Sequence, residues 1–206
     1  MMLELLTPLE LNVAFTDLMS YYNTLNEKYQ HLNWNWEKCG GDIVKQWRDE
    51  AYKDPSNLLT NGWAIQSNLE DLSIPCPPWN ISTHKTVEYR NTELAFGLIE
   101  RLQTAIPFGY RWAVSVQPPG GKVSLHSDQE DEVTVWIPIL TNESPTITFV
   151  QDGNETKITL QASGSAYLLN TTVPHYTSNT GSTTRATIIF RLNKQHIDRM
   201  KEIKRI

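Results

Sequence analysis

The stretch Trp112-Ala113-Val114-Ser115-Val116-Gln117-Pro118-Pro119-Gly120-Gly121-Lys122-Val123-Ser124-Leu125-His126 alternates side-chain character on both sides of a proline- and glycine-rich break. A period of two puts alternate residues on opposite faces of a strand, and Pro-Pro-Gly-Gly supplies the turn between two such strands. The same texture runs on to residue 192. Segments 133–140, 146–150, 157–160, 166–169 and 185–192 alternate similarly, with Asp152-Gly153-Asn154 and Asn179-Thr180-Gly181-Ser182 as turn chemistry between some of them. Seven or eight short strands within about 85 residues predict a β-sandwich or barrel, the jelly roll being the commonest version with a central cavity.

The residues before this region read differently. Thr7-Pro8-Leu9-Glu10 predicts a helix start, with Thr7 as cap, Pro8 in the first turn and Glu10 completing a capping box. Leu11, Phe15, Leu18, Tyr22, Leu25, Tyr29 and Leu32 then recur at steps of four and three, the stripe of a helix with one buried face. A second helix is expected over 42–52, stopped by Asp54-Pro55-Ser56-Asn57, and residues 62–67 suit a strand. Pro75-Cys76-Pro77-Pro78-Trp79 reads as a stiff loop, and a third helix from about Thr92 turns Leu94, Leu98, Ile99 and Leu102 inward before Pro107 ends it. No repeat or linker divides the chain. The expectation is one domain over 1–206: a helical and extended part over 1–107, a jelly-roll core over 108–193, and a tail over 194–206. The fold class is therefore mainly β, flanked by N-terminal α-helices.

Composition narrows the function classes. The 206 residues are 39% hydrophobic and 20% charged, which excludes collagenous and largely disordered chains. A formal charge of −5 gives no basic footprint for nucleic acid. No apolar run approaches the roughly 18 residues of a membrane helix, and Met1-Met2-Leu3-Glu4 places acid where a secretory signal carries base. Cys39 and Cys76 are the two cysteines, too few for a disulfide framework and outside any CxxC. A cytosolic protein with ordinary thiols is expected, and the N-x-S/T triplets at Asn80, Asn142, Asn154 and Asn170 read as chance matches.

The candidate chemistry lies in the β region. His126-Ser127-Asp128 closes a strand, so alternation turns His126 and Asp128 to one side and Ser127 to the other. His175, in Thr172-Val173-Pro174-His175, ends another strand-like run. Two imidazoles and one carboxylate form the facial set that leaves three positions open and suits non-haem Fe(II). Arg185 opens the strand Arg185-Ala186-Thr187-Ile188-Ile189-Phe190, with Arg185 and Thr187 on the face opposite Ala186, Ile188 and Phe190. An arginine turned into an apolar barrel requires an anionic partner, and a carboxylate ligand supplies one, with Thr187 as an added donor. Glu130, Asp131 and Glu132 read as a solvated acidic loop, Arg191 as exposed, and Trp63, Trp79 and Trp136 as packing residues in the main.

The order HxD…His…Arg, with ten residues from His175 to Arg185, resembles the Fe(II)/2-oxoglutarate-dependent oxygenases. Within them the chain is most similar to the aspartyl/asparaginyl β-hydroxylase-like branch, including small versions encoded by marine phages. The resemblance covers roughly 111–192 and rests on three segments. The first runs from Val114-Ser115-Val116-Gln117-Pro118-Pro119-Gly120-Gly121 to His126-Ser127-Asp128. The second is Trp136-Ile137-Pro138-Ile139. The third runs from Gly164-Ser165-Ala166-Tyr167-Leu168-Leu169-Asn170 through His175 to Arg185. It implies a double-stranded β-helix (jelly roll, cupin-like) with Fe(II) on His126, Asp128 and His175. It also implies 2-oxoglutarate bound through Arg185 and, around it, Ser115, Thr187 and Trp136. Two features depart from the branch: the carboxylate ligand Asp128 is present, and Thr134-Val135-Trp136 stands where the best-known members carry Arg-x-His. The implied activity is hydroxylation, with dioxygen, of an unactivated C–H in an Asp/Asn-like side chain of a peptide or protein, releasing succinate and CO2. A virus-encoded member would act in the host cytoplasm. Arg185 and Arg191 also resemble the paired arginines of oxygenases that demethylate nucleic acids, though the His-to-Arg spacing is shorter here and the chain is acidic. Two rival readings carry their own expectations: a cupin-type metalloenzyme that does not use 2-oxoglutarate, and a jelly-roll binding module without catalysis.

Overall fold

A computed structural model of the chain describes residues 4–34, 55–68, 72, 75, 88–204 and 206. Twelve strands are defined within them: β1 Leu6–Asn12, β2 Asn61–Ala64, β3 Gln66–Ser67, β4 Arg90–Asn91, β5 Tyr110–Gln117, β6 Lys122–His126, β7 Glu132–Leu140, β8 Ile147–Gln151, β9 Asn154–Ile158, β10 Ser165–Leu169, β11 His175–Ser178 and β12 Arg185–Asn193. The α-helices are α1 Phe15–Lys28, α2 Leu98–Ala105 and α3 Ile197–Lys201. Six strands form a large antiparallel sheet in the order β1-β10-β7-β12-β5-β2, and four form a smaller one, β6-β11-β8-β9. Every strand expected beyond residue 108 is present within a few residues of its reading. Among the described residues no helix is long and apolar enough to cross a membrane.

Alternation on the large sheet separates two environments. Trp112, Val114 and Val116 of β5, Val133, Val135, Ile137 and Ile139 of β7, and Ala186, Ile188, Phe190 and Leu192 of β12 share one face. They pack with Leu18, Tyr21 and Leu25 of α1, Leu98, Ile99 and Leu102 of α2, and Ile197 and Met200 of α3. The main hydrophobic core thus lies between the large sheet and the helices. Burying each such aliphatic side chain is worth roughly 1.5–3 kcal/mol. The other face looks towards the small sheet and is largely polar: Gln117 Nε2 of β5 donates to Thr177 Oγ1 of β11 at 3.0 Å, across the gap. Because the core sits outside the sandwich, its interior can hold charged and hydrogen-bonding side chains.

Three expectations for the N-terminal part require correction or lie outside the described residues. Thr7-Pro8-Leu9-Glu10 belongs to strand β1 rather than to a helix start, with Thr7 opposite Leu168 and Pro8 opposite Tyr167 of β10. Leu9, Leu11 and Val13 are buried at a period of two, and pairing with β10 outweighs the local capping signal. Pro8 is tolerated because β1 is an edge strand, where a missing N–H need not break a ladder. Helix α1 therefore starts at Phe15, and its buried stripe is Leu18, Tyr21 and Leu25, with Phe15 exposed. The helix expected over 42–52 lies outside the described residues, as do Cys39, Cys76 and Trp79. Leu94, Leu98, Ile99 and Leu102 are all buried as expected, although the regular helix begins only at Leu98. Trp63 is a core residue whose Nε1 donates to the Tyr29 carbonyl at 2.9 Å.

Candidate metal centre

His126 ends β6 and His175 opens β11, and the two are direct partners across the ladder. The run Thr172-Val173-Pro174 precedes β11 instead of forming a strand that His175 ends, which corrects the position though not the residue. The rings lie 4.4 Å apart between centroids, at 53°. Each Nδ1 is paired with a backbone carbonyl two residues upstream, His126 with Ser124 at 2.7 Å and His175 with Val173 at 2.9 Å. Such pairing orients the rings and leaves both Nε2 atoms as metal donors. Asp128 lies just past β6, where its N–H donates to the Thr171 carbonyl at 2.8 Å, and Oδ1 stands 4.0 Å from His126 Nε2.

These donors suit a divalent ion. Two imidazoles at right angles on one ion, each nitrogen at about 2.1 Å, bring their ring centroids roughly 4.6 Å apart. As placed, no three His, Cys, Asp or Glu side chains among the described residues close around a common ligand point. At Asp128, Arg191 Nη2 donates to Oδ1 at 2.6 Å, and the same oxygen stands 4.0 Å from His126 Nε2.

Arg191 was expected at the surface, and Glu132 in a solvated loop; both expectations fail. Only 16% of the Arg191 side chain is exposed, and its Nη1 donates to Glu132 Oε2 at 2.9 Å. Glu132 is buried, accepting further from Arg111 Nη1 at 3.3 Å and Tyr110 Oη at 2.7 Å. The burial is possible because Asp128, Arg191, Glu132 and Arg111 alternate in charge, so no member is left uncompensated. Burial by itself would push the Asp128 carboxyl up, but the Arg191 guanidinium, the Thr171 hydroxyl and His126 together hold it below the usual carboxylate value. Arg191 is held above the ordinary arginine value, its burial being more than offset by Asp128 and Glu132. Alternation along β12 already carried the signal for Arg191, since it stands on the same face as Arg185 and Thr187.

Arg185 is 4% exposed and opens β12 opposite Gln117. Its guanidinium donates to Gln117 Oε1, to the Pro145 carbonyl and, at 3.2 Å, to Ser144 Oγ. Every one of these acceptors is neutral, and among the described residues no carboxylate pairs with it. Burial lowers it to about 10, which leaves it charged near neutrality. Thr187 is buried and opposes Ser115, two residues along from the Arg185–Gln117 pair on the same two strands. Trp136 stands apart from this cradle, in an apolar cluster with Ile147, Phe149 and Leu169 whose Phe149 ring lies 5.9 Å from His175. Sequence reading missed Gln117, Ser144 and Asn179. Ser144 Oγ donates to Asn142 Oδ1 at 2.7 Å, and fully buried Asn179 donates to the Gln117 carbonyl at 2.8 Å, so two loops fix the cradle. Gln117 was legible, being two residues from Ser115 on one strand; the loop residues carried no periodic signal.

His175 is 3% exposed and lowered to about 4, first by burial and then by the positive charge of His126. A depressed folded value means that folding favours the neutral ring. Its contribution to stability is complete above the ordinary value of 6.5 and is lost as pH falls from there towards 4. Denaturant titrations of metal-free protein over that window should record a loss on the order of 3 kcal/mol, absent from His175→Ala. An equal acid loss in both proteins would contradict this.

No family model and no curated protein matches the chain. Solved structures do. The non-heme α-ketoglutarate-dependent epimerase SnoN from nogalamycin biosynthesis aligns at a TM-score of 0.51 and 11% identity, over 86% of this chain and 71% of that one. The chain shares a cupin-like jelly-roll fold. A cupin domain from Bordetella pertussis tohama matches at 20% identity and a TM-score of 0.33, over 40% of this chain and 79% of that chain. The non-heme monooxygenase ThoJ, in a nickel complex, matches at 14% and 0.35 over 41% of this chain, a match spanning 44% of ThoJ.

Proposed function

We propose that the chain is an Fe(II)- and 2-oxoglutarate-dependent oxygenase with His126, Asp128 and His175 as metal ligands. The observation that carries this reading is Arg185, a buried cation whose partners are all neutral, on the same interior face as Arg191, the side chain bound to Asp128. An uncompensated buried guanidinium is a site for a carboxylate, since a planar fork binds one in bidentate fashion. A dicarboxylate with one end on the metal and the other on Arg185 satisfies both. Ser115 and Thr187 offer hydroxyl donors beside that second carboxylate, and Phe149, packed with Trp136, places an apolar ring beside His175. His126 and His175 direct Nε2 inward because their Nδ1 atoms are engaged by backbone carbonyls.

When bound, Fe(II) with dioxygen and 2-oxoglutarate supplies oxidative chemistry that releases succinate and CO2 and places one oxygen atom in a substrate C–H bond. The chain's own residues hold the ligands, orient the cosubstrate and exclude water. The substrate is read as an Asp/Asn-like side chain of a peptide or protein, by the resemblance described above. Neither a membrane nor a nucleic acid enters this reading.

Anaerobic addition of Fe(II) and then 2-oxoglutarate to metal-free protein tests it. The expected result is stoichiometric iron and a weak visible charge-transfer band that forms only with the cosubstrate. Iron binding without that band would favour a cupin-type centre that does not use 2-oxoglutarate. Absence of iron binding would leave a binding module.

A further inference from the structure

Among the described residues no hydrogen bond or ion pair joins Glu132 to the three proposed ligands, yet it is buried and accepts from Arg191, Arg111 and Tyr110 together. Arg191 divides its fork between Glu132 Oε2 at 2.9 Å and Asp128 Oδ1 at 2.6 Å. Whatever share of the guanidinium charge Glu132 takes is withdrawn from Asp128. A cation entering between Asp128 and the histidine pair must share or displace the Arg191 contact on Oδ1, and Glu132 is where the guanidinium remains anchored when it does so.

We propose that Glu132 is a positioning residue that sets the divalent-cation affinity of the centre by sharing with Asp128 the charge of the Arg191 guanidinium that bridges them. The proposal rests on the metal-centre reading above. Three consequences have definite sign. In Glu132→Gln the guanidinium charge falls on Asp128 alone, and a divalent cation binds more weakly. In Arg191→Met the competing positive charge is gone, and the cation binds more tightly although Asp128 has lost a partner. In the double variant the two changes offset, because the charges removed are opposite and adjacent.

The test uses Co(II) as probe, followed by its visible ligand-field absorption and by calorimetry on metal-free protein without cosubstrate or turnover. Glu132→Gln should raise the Co(II) dissociation constant roughly tenfold or more, about 1.4 kcal/mol. Arg191→Met should lower it, Arg191→Lys should stay close to wild type because the charge is kept, and the double variant should return close to wild type. A purely structural Glu132 would lower the unfolding midpoint and leave the Co(II) constant unmoved, which overturns the proposal. Weaker binding in Arg191→Met overturns it too, since that sign belongs to an arginine that only orients Asp128. A Glu132→Gln chain that does not fold leaves the decision to Arg191→Met against Arg191→Lys. Failure of the underlying reading is distinct: wild type itself would bind no Co(II), or His175→Ala would bind it equally well.

Discussion

Turnover of 2-oxoglutarate, on the proposed reading, should fall by roughly a thousandfold or more in His175→Ala, since the variant removes a proposed metal ligand that would supply several kcal/mol of transition-state stabilisation. His175 is the more buried of the two histidines, and its Nδ1 is committed to the Val173 carbonyl, so its Nε2 is the donor that β11 delivers to the interior. The loss should appear in cosubstrate oxidation without added substrate and should be accompanied by loss of stoichiometric iron. The fold itself should survive near neutral pH, because folding favours the neutral ring. Unchanged 2-oxoglutarate consumption in a folded variant would sink the assignment of His175 as a ligand.

The second large effect belongs to Arg185. Replacing it by Met should raise the dissociation constant for 2-oxoglutarate roughly a hundredfold, about 3 kcal/mol, the upper range for a hydrogen bond to a charged group. Iron affinity should remain close to wild type, because Arg185 pairs with Gln117, Ser144 and Pro145 and not with a proposed ligand. The variant also leaves those three acceptors without their donor, so a lower unfolding midpoint is expected alongside. Binding of 2-oxoglutarate is read as the metal-to-ligand band in anaerobic titrations. An unshifted titration midpoint with full iron occupancy would assign the carboxylate to another residue and favour a centre that does not use this cosubstrate.

Both predictions depend on how the sandwich is built. The core between the large sheet and the helices bears most of the apolar burial, and the interior between the sheets carries the charge. In that interior Arg185 and Arg191 play opposite parts. Arg185 has only neutral acceptors, whereas Arg191 is balanced between Asp128 and Glu132. The first is suited to an incoming anion. The second holds Asp128, the carboxylate proposed as a ligand.

Strand alternation after residue 108 and the spacing of His126, Asp128, His175 and Arg185 were legible in the sequence, because a period of two assigns faces without any knowledge of partners. The same alternation placed Thr187, Gln117 and Arg191 on the interior face, although for Arg191 the common fate of arginine at the surface argued the other way. Only the tertiary structure decided the rest. Thr7-Pro8-Leu9-Glu10 has the local chemistry of a helix cap, yet β10 offers it a ladder, and pairing between residues about 160 positions apart leaves no local trace. Glu132 looked like one acid in a solvated run. Its burial follows from Arg111, Arg191 and Tyr110 converging on it from two other strands, a compensation that exists only once β5, β7 and β12 lie side by side. Local alternation therefore assigned faces along the strands after residue 108, and long-range pairing determined that Glu132 is buried and which charges meet there.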